Sequence, residues 1–236
     1  VLTGLRGDTV LPKQTGSATA FWIAEGDALT ESSAAYGSVR LEPKHVGALS
    51  ALSRQLIQQA NPAIEQLTRD DFAQVVGLAV DKALLHGTAA AKQPVGILAT
   101  AGIQTAALGA VTWAALVAML EKLGLENVAA NAIVTHAKAA TKLQTTLKNA
   151  ANGAEYLLQN GRVAELPAYV TNQLDAVSGV LGRVIAGDFS QIVIGEWGVT
   201  EILANPYAPG YYEKGDVQIR ILHTMDAVVR QPKAFV

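Results

Sequence analysis

Cysteine is absent from the 236 residues. That removes disulfides, thiolate metal sites and cysteine nucleophiles together, and it suits a chain that assembles in a cytosol. Charge is scarce as well: Asp, Glu, Lys and Arg make up 16% of the chain, where about a quarter is usual. Aromatics are 6%, so the apolar half of the composition is mostly Ala, Val, Leu and Ile. The 18 Lys and Arg are scattered and the net charge is −2. Sequence-reading nucleic-acid binders carry a basic face, and none is visible, so any nucleic-acid contact is weak and nonspecific. No apolar run approaches the roughly 18 residues of a membrane span. No signal peptide is visible. The chain starts at Val1 without Met, which reads as a processed form, a fragment, or the ordered portion of a longer product.

A chain of 24.6 kDa has ample length for a core in one large domain or two small ones. It also has much surface and few charges to cover it. Either much of that surface faces other subunits or the protein is an ordinary Ala-rich globule. Residues 1–20, rich in Gly, Thr and Ser with Pro12, read as an extended arm. Residues 21–38 open on Phe21-Trp22-Ile23 and then turn small and polar. They can bury no core of their own and read as a projecting or disordered loop. Loose alternation over 39–53 predicts strand.

The clearest element follows. Asn61 is a good N-cap and Pro62 a good first helical residue. Apolar residues at Ile64, Leu67, Phe72, Val75, Val76, Ala79, Ala83 and Leu84 predict a helix over 62–86, with Val75 and Ala79 on its buried face. Gly87 stops it, and 87–111 reads as a Gly/Ala/Thr-rich connector. A second helix follows Thr112 and stops at Gly124. A strand at 132–134 precedes a third helix over 136–148 with Thr135 as cap, and 149–161 is turn-rich. Strands are expected near 168–171, 191–195, 217–222 and 227–229. The class is α+β.

Motifs that carry chemistry are missing. None of the four histidines lies three or four residues from another, so there is no helical ligand pair. The 87–92 stretch lacks the second Gly and the Lys-Ser/Thr ending of a phosphate loop. Gly187-Asp188-Phe189-Ser190 fails the spacing of a nucleophile elbow. Asp70 and Asp71 point about 100° apart on a helix, so they cannot work as a carboxylate pair. Trp22 beside Glu25 reads as an aromatic anchor docked at the loop's base. No catalytic residue, metal or cofactor is expected, and a hydrolase is the different-class alternative.

Several segments resemble the tailed-bacteriophage major capsid proteins, which share the Hong Kong phage-type capsid fold. They are Trp22-Ile23-Ala24-Glu25-Gly26, Leu41-Glu42-Pro43-Lys44, Ser53-Arg54-Gln55-Leu56, Pro94-Val95-Gly96-Ile97-Leu98, Gly187-Asp188-Phe189-Ser190, Asp226-Ala227-Val228-Val229 and Pro232-Lys233-Ala234-Phe235. Their order and spacing cover the chain from about Phe21 onward. The resemblance implies an N-terminal arm (1–20), an extended loop (21–45), a peripheral domain built on a long spine helix (46–105 with 217–236) and an axial domain (106–216). It implies hexamers and pentamers of an icosahedral shell around double-stranded DNA. It also implies a portal, a scaffold or prohead protease, and in some cases a cement protein as partners. Contacts between subunits are expected at Trp22, Glu25, Thr30, Glu31, Arg40, Lys44 and Arg54, with Lys44 making a charged contact to a neighbour. A bacterial nanocompartment or gene-transfer particle of the same fold is the alternative reading.

Some family members weld their shells by a Lys–Asn isopeptide bond assisted by a Glu. The aligned positions here are Thr30, Gly215 and Leu222, which hold none of those groups. The resemblance therefore implies a shell without that weld.

Overall fold

In the computed structural model, residues 1–26, 28, 30–59, 63–108, 111–149, 153, 155–174 and 182–236 are described. The chain runs β1 (Thr9–Gly16), β2 (Ala35–Leu41), β3 (Lys44–Leu52), α1 (Arg54–Gln59), α2 (Ala63–His86), α3 (Trp113–Leu125), β4 (Ala132–His136) and α4 (Ala137–Thr145). It continues through β5 (Arg162–Val163), β6 (Leu166–Thr171), β7 (Val184–Gly187), β8 (Ile192–Glu196), β9 (Glu201–Asn205) and β10 (Val217–Val229). Helices and sheets mix as α+β.

Among the described residues, three sheets organise these elements. β1 and β2 form an antiparallel two-stranded ribbon by themselves. The second sheet is built on β10, which pairs antiparallel with β3 on one edge and with β8 and β9 on the other. The third has the order β5-β6-β4-β7, with β4 and β6 parallel across α4. α2 has 24 residues, about 36 Å at 1.5 Å per residue. It packs Phe72 and Val76 against Ile219 and Ile221 of β10. A second core joins α3, β4 and α4 through Leu116, Met119, Ile133 and Leu143. A third gathers Leu85, Ile97, Ile185 and Val229 around Phe235, whose ring meets Phe189 edge-on at 5.4 Å.

The helix and strand expectations hold in outline, with four corrections. The expected strands at 217–222 and 227–229 are one strand of 13 residues. The polar stretch His223-Thr224 and Asp226 masks that continuity in the sequence, because Asp226 is buried with a partner. Thr9–Gly16, inside the expected arm, is a strand. Its Pro12 is tolerated because both strands of a two-stranded ribbon are edges. The ribbon thus runs across the expected border between arm and loop at residue 20. α4 is capped by His136, whose Nδ1 accepts the Lys138 N–H at 3.1 Å. Thr135, the expected cap, is fully buried in β4. Finally, the buried stripe of α2 is Phe72, Val76 and Ala83, whereas Val75 and Ala79 are exposed. The expected cap at Asn61 and Pro62 lies outside the described residues.

The first part of the expected connector, residues 87–96, is tightly folded. Gly87 N–H donates to Ala83 O and Gly96 N–H to Gly87 O, so the chain doubles back under the end of α2. A Cβ on Gly87 would meet Pro94 O at 2.1 Å, which makes glycine necessary at this crossing.

Candidate functional site

The ribbon ends in an exposed tip. From Thr9↔Leu41 to Gly16↔Ala35 the two strands pair with one irregularity near Gly16. Beyond them, the described residues between 17 and 34 form no helix or strand. The tip is closed by Ser32, whose Oγ donates to Thr19 O at 2.8 Å and accepts the Thr19 N–H at 3.0 Å. Trp22 is fully exposed, and Phe21 and Ile23 beside it are about half exposed. This corrects the expectation of a docked anchor: the indole touches no core of its own chain. Glu25, Thr30 and Glu31 are exposed on the same tip. From Gln14 to Val39 the sequence contains acidic residues and no Lys or Arg, so the tip is an apolar knob with negative charge around it.

The charged candidates nearer the body are engaged within the chain. Arg40 pairs with Asp8 across the ribbon and with Glu42 at 3.3 Å. The Asp8 hydrogen bond first, then the charges of Asp8 and Glu42, hold its guanidinium above its ordinary value. Lys44, expected to make a charged contact with a neighbour, has its Nζ 2.8 Å from Oδ1 of the buried Asp226 in its own chain. Arg54 opens α1, with its backbone N–H donating to Asp216 at 3.2 Å. Its side chain lies against Gly215, which turns the chain at φ +72.

A second unpartnered surface lies along α2. Leu67, Val75 and Leu78 are each about half exposed or more, on the flank away from Phe72 and Val76. Between α2 and β3 a groove of about 310 Å³ opens, lined by Ala79, Val80, Ala83, Val46, His45 and Lys92. Lys92 forms no ion pair or side-chain hydrogen bond among the described residues. In total the chain exposes 14602 Å², where a compact monomer of its mass exposes roughly 10,000 Å². About 4,500 Å² is therefore surplus, and it includes the exposed apolar side chains Phe21, Trp22, Ile23, Leu67, Val75 and Leu78, the kind of patch that marks an interaction surface.

No group of three or more His, Asp or Glu among the described residues could hold a metal ion. His45 bonds Thr224 at 2.8 Å and His223 bonds Thr200 at 3.0 Å. Asp188 caps the turn Phe189–Gln191. Burial alone would raise its carboxyl, but hydrogen bonds from Gln191 and Ser190 and the charge of Arg230 outweigh that and hold it below the usual range. These are structural roles.

The family model described as "Phage capsid family" matches residues 1–236. The chain belongs to the phage capsid family. A major capsid protein of Halomonas phage phiHAP-1 is 29% identical over 238 residues, covering 100% of this chain and 38% of that protein. A major capsid protein of Klebsiella oxytoca phage phiKO2 is 26% identical over 206 residues, covering 81% of this chain and 48% of its own length. The chain thus spans less than half the length of these curated relatives. Among solved structures, the capsid of a native GTA particle superimposes with a TM-score of 0.79 at 17% identity, over 99% of this chain and 85% of that one. Mycobacterium phage Ogopogo gives 0.73 at 17%, over 97% and 85%. The fold is that of phage and gene-transfer-agent capsids. Within it, sequence reasoning found the exposed tip from its composition. It missed the role of Asp226, because its partner Lys44 lies far away in the chain.

Proposed function

We propose that this chain is the shell-forming unit of an icosahedral capsid that encloses double-stranded DNA, built from hexamers and pentamers. One observation carries the reading: about 4,500 Å² of surplus surface, against the 14602 Å² exposed, belongs to a chain of the phage capsid family. Burying that surplus would place each subunit well above a standard interface. The tip, with Trp22, Glu25, Thr30 and Glu31, lies against a neighbouring copy. The exposed flank of α2 and the groove beside Lys92 have the apolar and basic character that complements it. Arg40 and Arg54 sit at the edges of that contact.

The arm at 1–20, loop at 21–45, peripheral domain at 46–105 with 217–236 and axial domain at 106–216 are part of the proposal. Core packing supports the last two, since α2 packs on β10 while α3, β4 and α4 share a separate cluster. A portal, a scaffold or prohead protease, and in some particles a cement protein complete the assembly. Contact with packaged DNA is nonspecific, as a net charge of −2 suggests. The shell assembles in the host cytoplasm and ends in the virion, with no catalytic role.

The fold match to a GTA capsid favours a second reading, a gene-transfer particle whose shell works the same way. Expression of the full-length gene product with its protease, followed by sedimentation and electron microscopy, tests the shell. Closed particles are expected; a strictly monomeric mass at high concentration overturns the proposal. Sequencing the DNA inside then separates a phage genome from random host fragments.

A further inference from the structure

We propose that Asp226 is a positioning residue: it fixes the angle at which the β1/β2 ribbon leaves the body, and through it the curvature at which copies join. This rests on the shell reading above. Only Glu42 and Pro43 separate β2 from β3, and proline restricts its own backbone and its neighbour's. Asp226, 2% exposed, clasps both sides of that elbow. Its Oδ2 accepts the Glu42 backbone N–H at 2.9 Å and its Oδ1 accepts Lys44 Nζ at 2.8 Å.

The other leg of the ribbon is tied to the neighbouring strand. Leu2 N–H donates to Ile194 O at 2.7 Å and Leu5 N–H to Glu196 O at 3.2 Å. Trp197 Nε1 donates to Gly7 O at 2.7 Å. Between the legs lies Gly195, directly opposite Asp226 in the β8–β10 register. A Cβ there would meet Leu5 at 2.8 Å and Leu41 at 3.2 Å, so both legs close on this glycine.

A buried ion pair is a poor source of stability, since an apolar pair of similar volume often does as well or better. What the clasp supplies instead is a single geometry. The eight residues of β1 make a lever of about 26 Å at roughly 3.3 Å per residue. A tilt of about 10° at the root would move the tip by roughly 4–5 Å on that lever. That exceeds the tolerance of close apolar packing and would join copies at mixed angles.

The experiment replaces the clasp in two ways and reads shell diameters by electron microscopy alongside amide exchange and subunit melting. Asp226→Leu with Lys44→Met removes both charges together and leaves no orphan ion. Its subunits should melt close to wild type. Its Glu42 amide should exchange at least about tenfold faster, and its spread of shell diameters should at least double. Asp226→Asn with Lys44→Gln restores neutral hydrogen-bonding groups and should return uniform shells. Uniform wild-type-sized shells from the Leu/Met pair, or equal disorder from both pairs, overturns the proposal. Should the Leu/Met pair not fold, Trp197→Phe cuts the clasp on the other leg and must broaden the distribution; uniform shells there overturn it too. If wild type forms no shells in the same preparation, the shell reading fails instead.

Discussion

Two adjacent valines on α2 give a sharp test of the packing. Val76 is 8% exposed against Phe72, Ile219 and Ile221, whereas Val75, about 100° round the helix, is 46% exposed. Val76→Asp loses about 1.5–3 kcal/mol of apolar burial. It adds the cost of an unpaired carboxylate in an apolar cluster, several kcal/mol more. Together these approach the roughly 5–15 kcal/mol that holds a typical domain folded. Val75→Asp sits in water, and its cost to the subunit should be within about 1 kcal/mol. Urea unfolding of unassembled subunits, followed by circular dichroism, measures both. Val76→Asp should be unfolded in buffer or show a midpoint lower by at least about 1 M urea. Val75→Asp should unfold like wild type yet assemble poorly. If both variants lose the same stability, the assignment of the helix face is wrong.

Phe235, fully buried and edge-on to Phe189, should cost about 3–5 kcal/mol on substitution to Ala; calorimetry of the subunit should show a Tm drop on the order of 10 °C, and a drop under about 3 °C contradicts the packing. Asp188 has a lowered folded-state pKa, so its stabilisation is present above the unfolded value of about 3.9 and is lost as pH falls through the folded value. Melting Asp188→Asn beside wild type should therefore show a gap at pH 6 that closes in strong acid; a gap independent of pH refutes the linkage. Thr30, Gly215 and Leu222 offer neither amine, carboxamide nor base, and the chain has no Cys. Boiled particles should thus give a single monomer band on a denaturing gel rather than a ladder of linked rings.

What the sequence made legible was what local pattern controls. α2 announces itself by length and by a run of apolar residues at helical spacing, and Thr112 caps α3 as its side chain suggests, accepting the Ala115 N–H at 3.3 Å. The face of α2 was not legible, because apolar residues occur on both flanks: Phe72 and Val76 on one, Leu67, Val75 and Leu78 on the other. A helix that packs inward on one side and is open on the other has no single apolar stripe to read. β10 was split for a related reason. Asp226 looks like a strand breaker until Lys44, distant in the chain, supplies its partner. Trp22 misled in the other direction, since a tryptophan is ordinarily buried and this one stands in solvent. The exposed tip itself was legible from its small polar residues. That Arg40 pairs with Asp8 and Lys44 with Asp226 was not, because these partners lie far from them in the chain.

The most direct test of the account is a cryo-EM map of particles assembled from the full-length product, read at Trp22. A closed shell in which the indole of one copy is buried against the next, with the 17–34 tip ordered on that neighbour, is the predicted result. Trp22 left in solvent within a closed shell, or no closed shell at all, would contradict it.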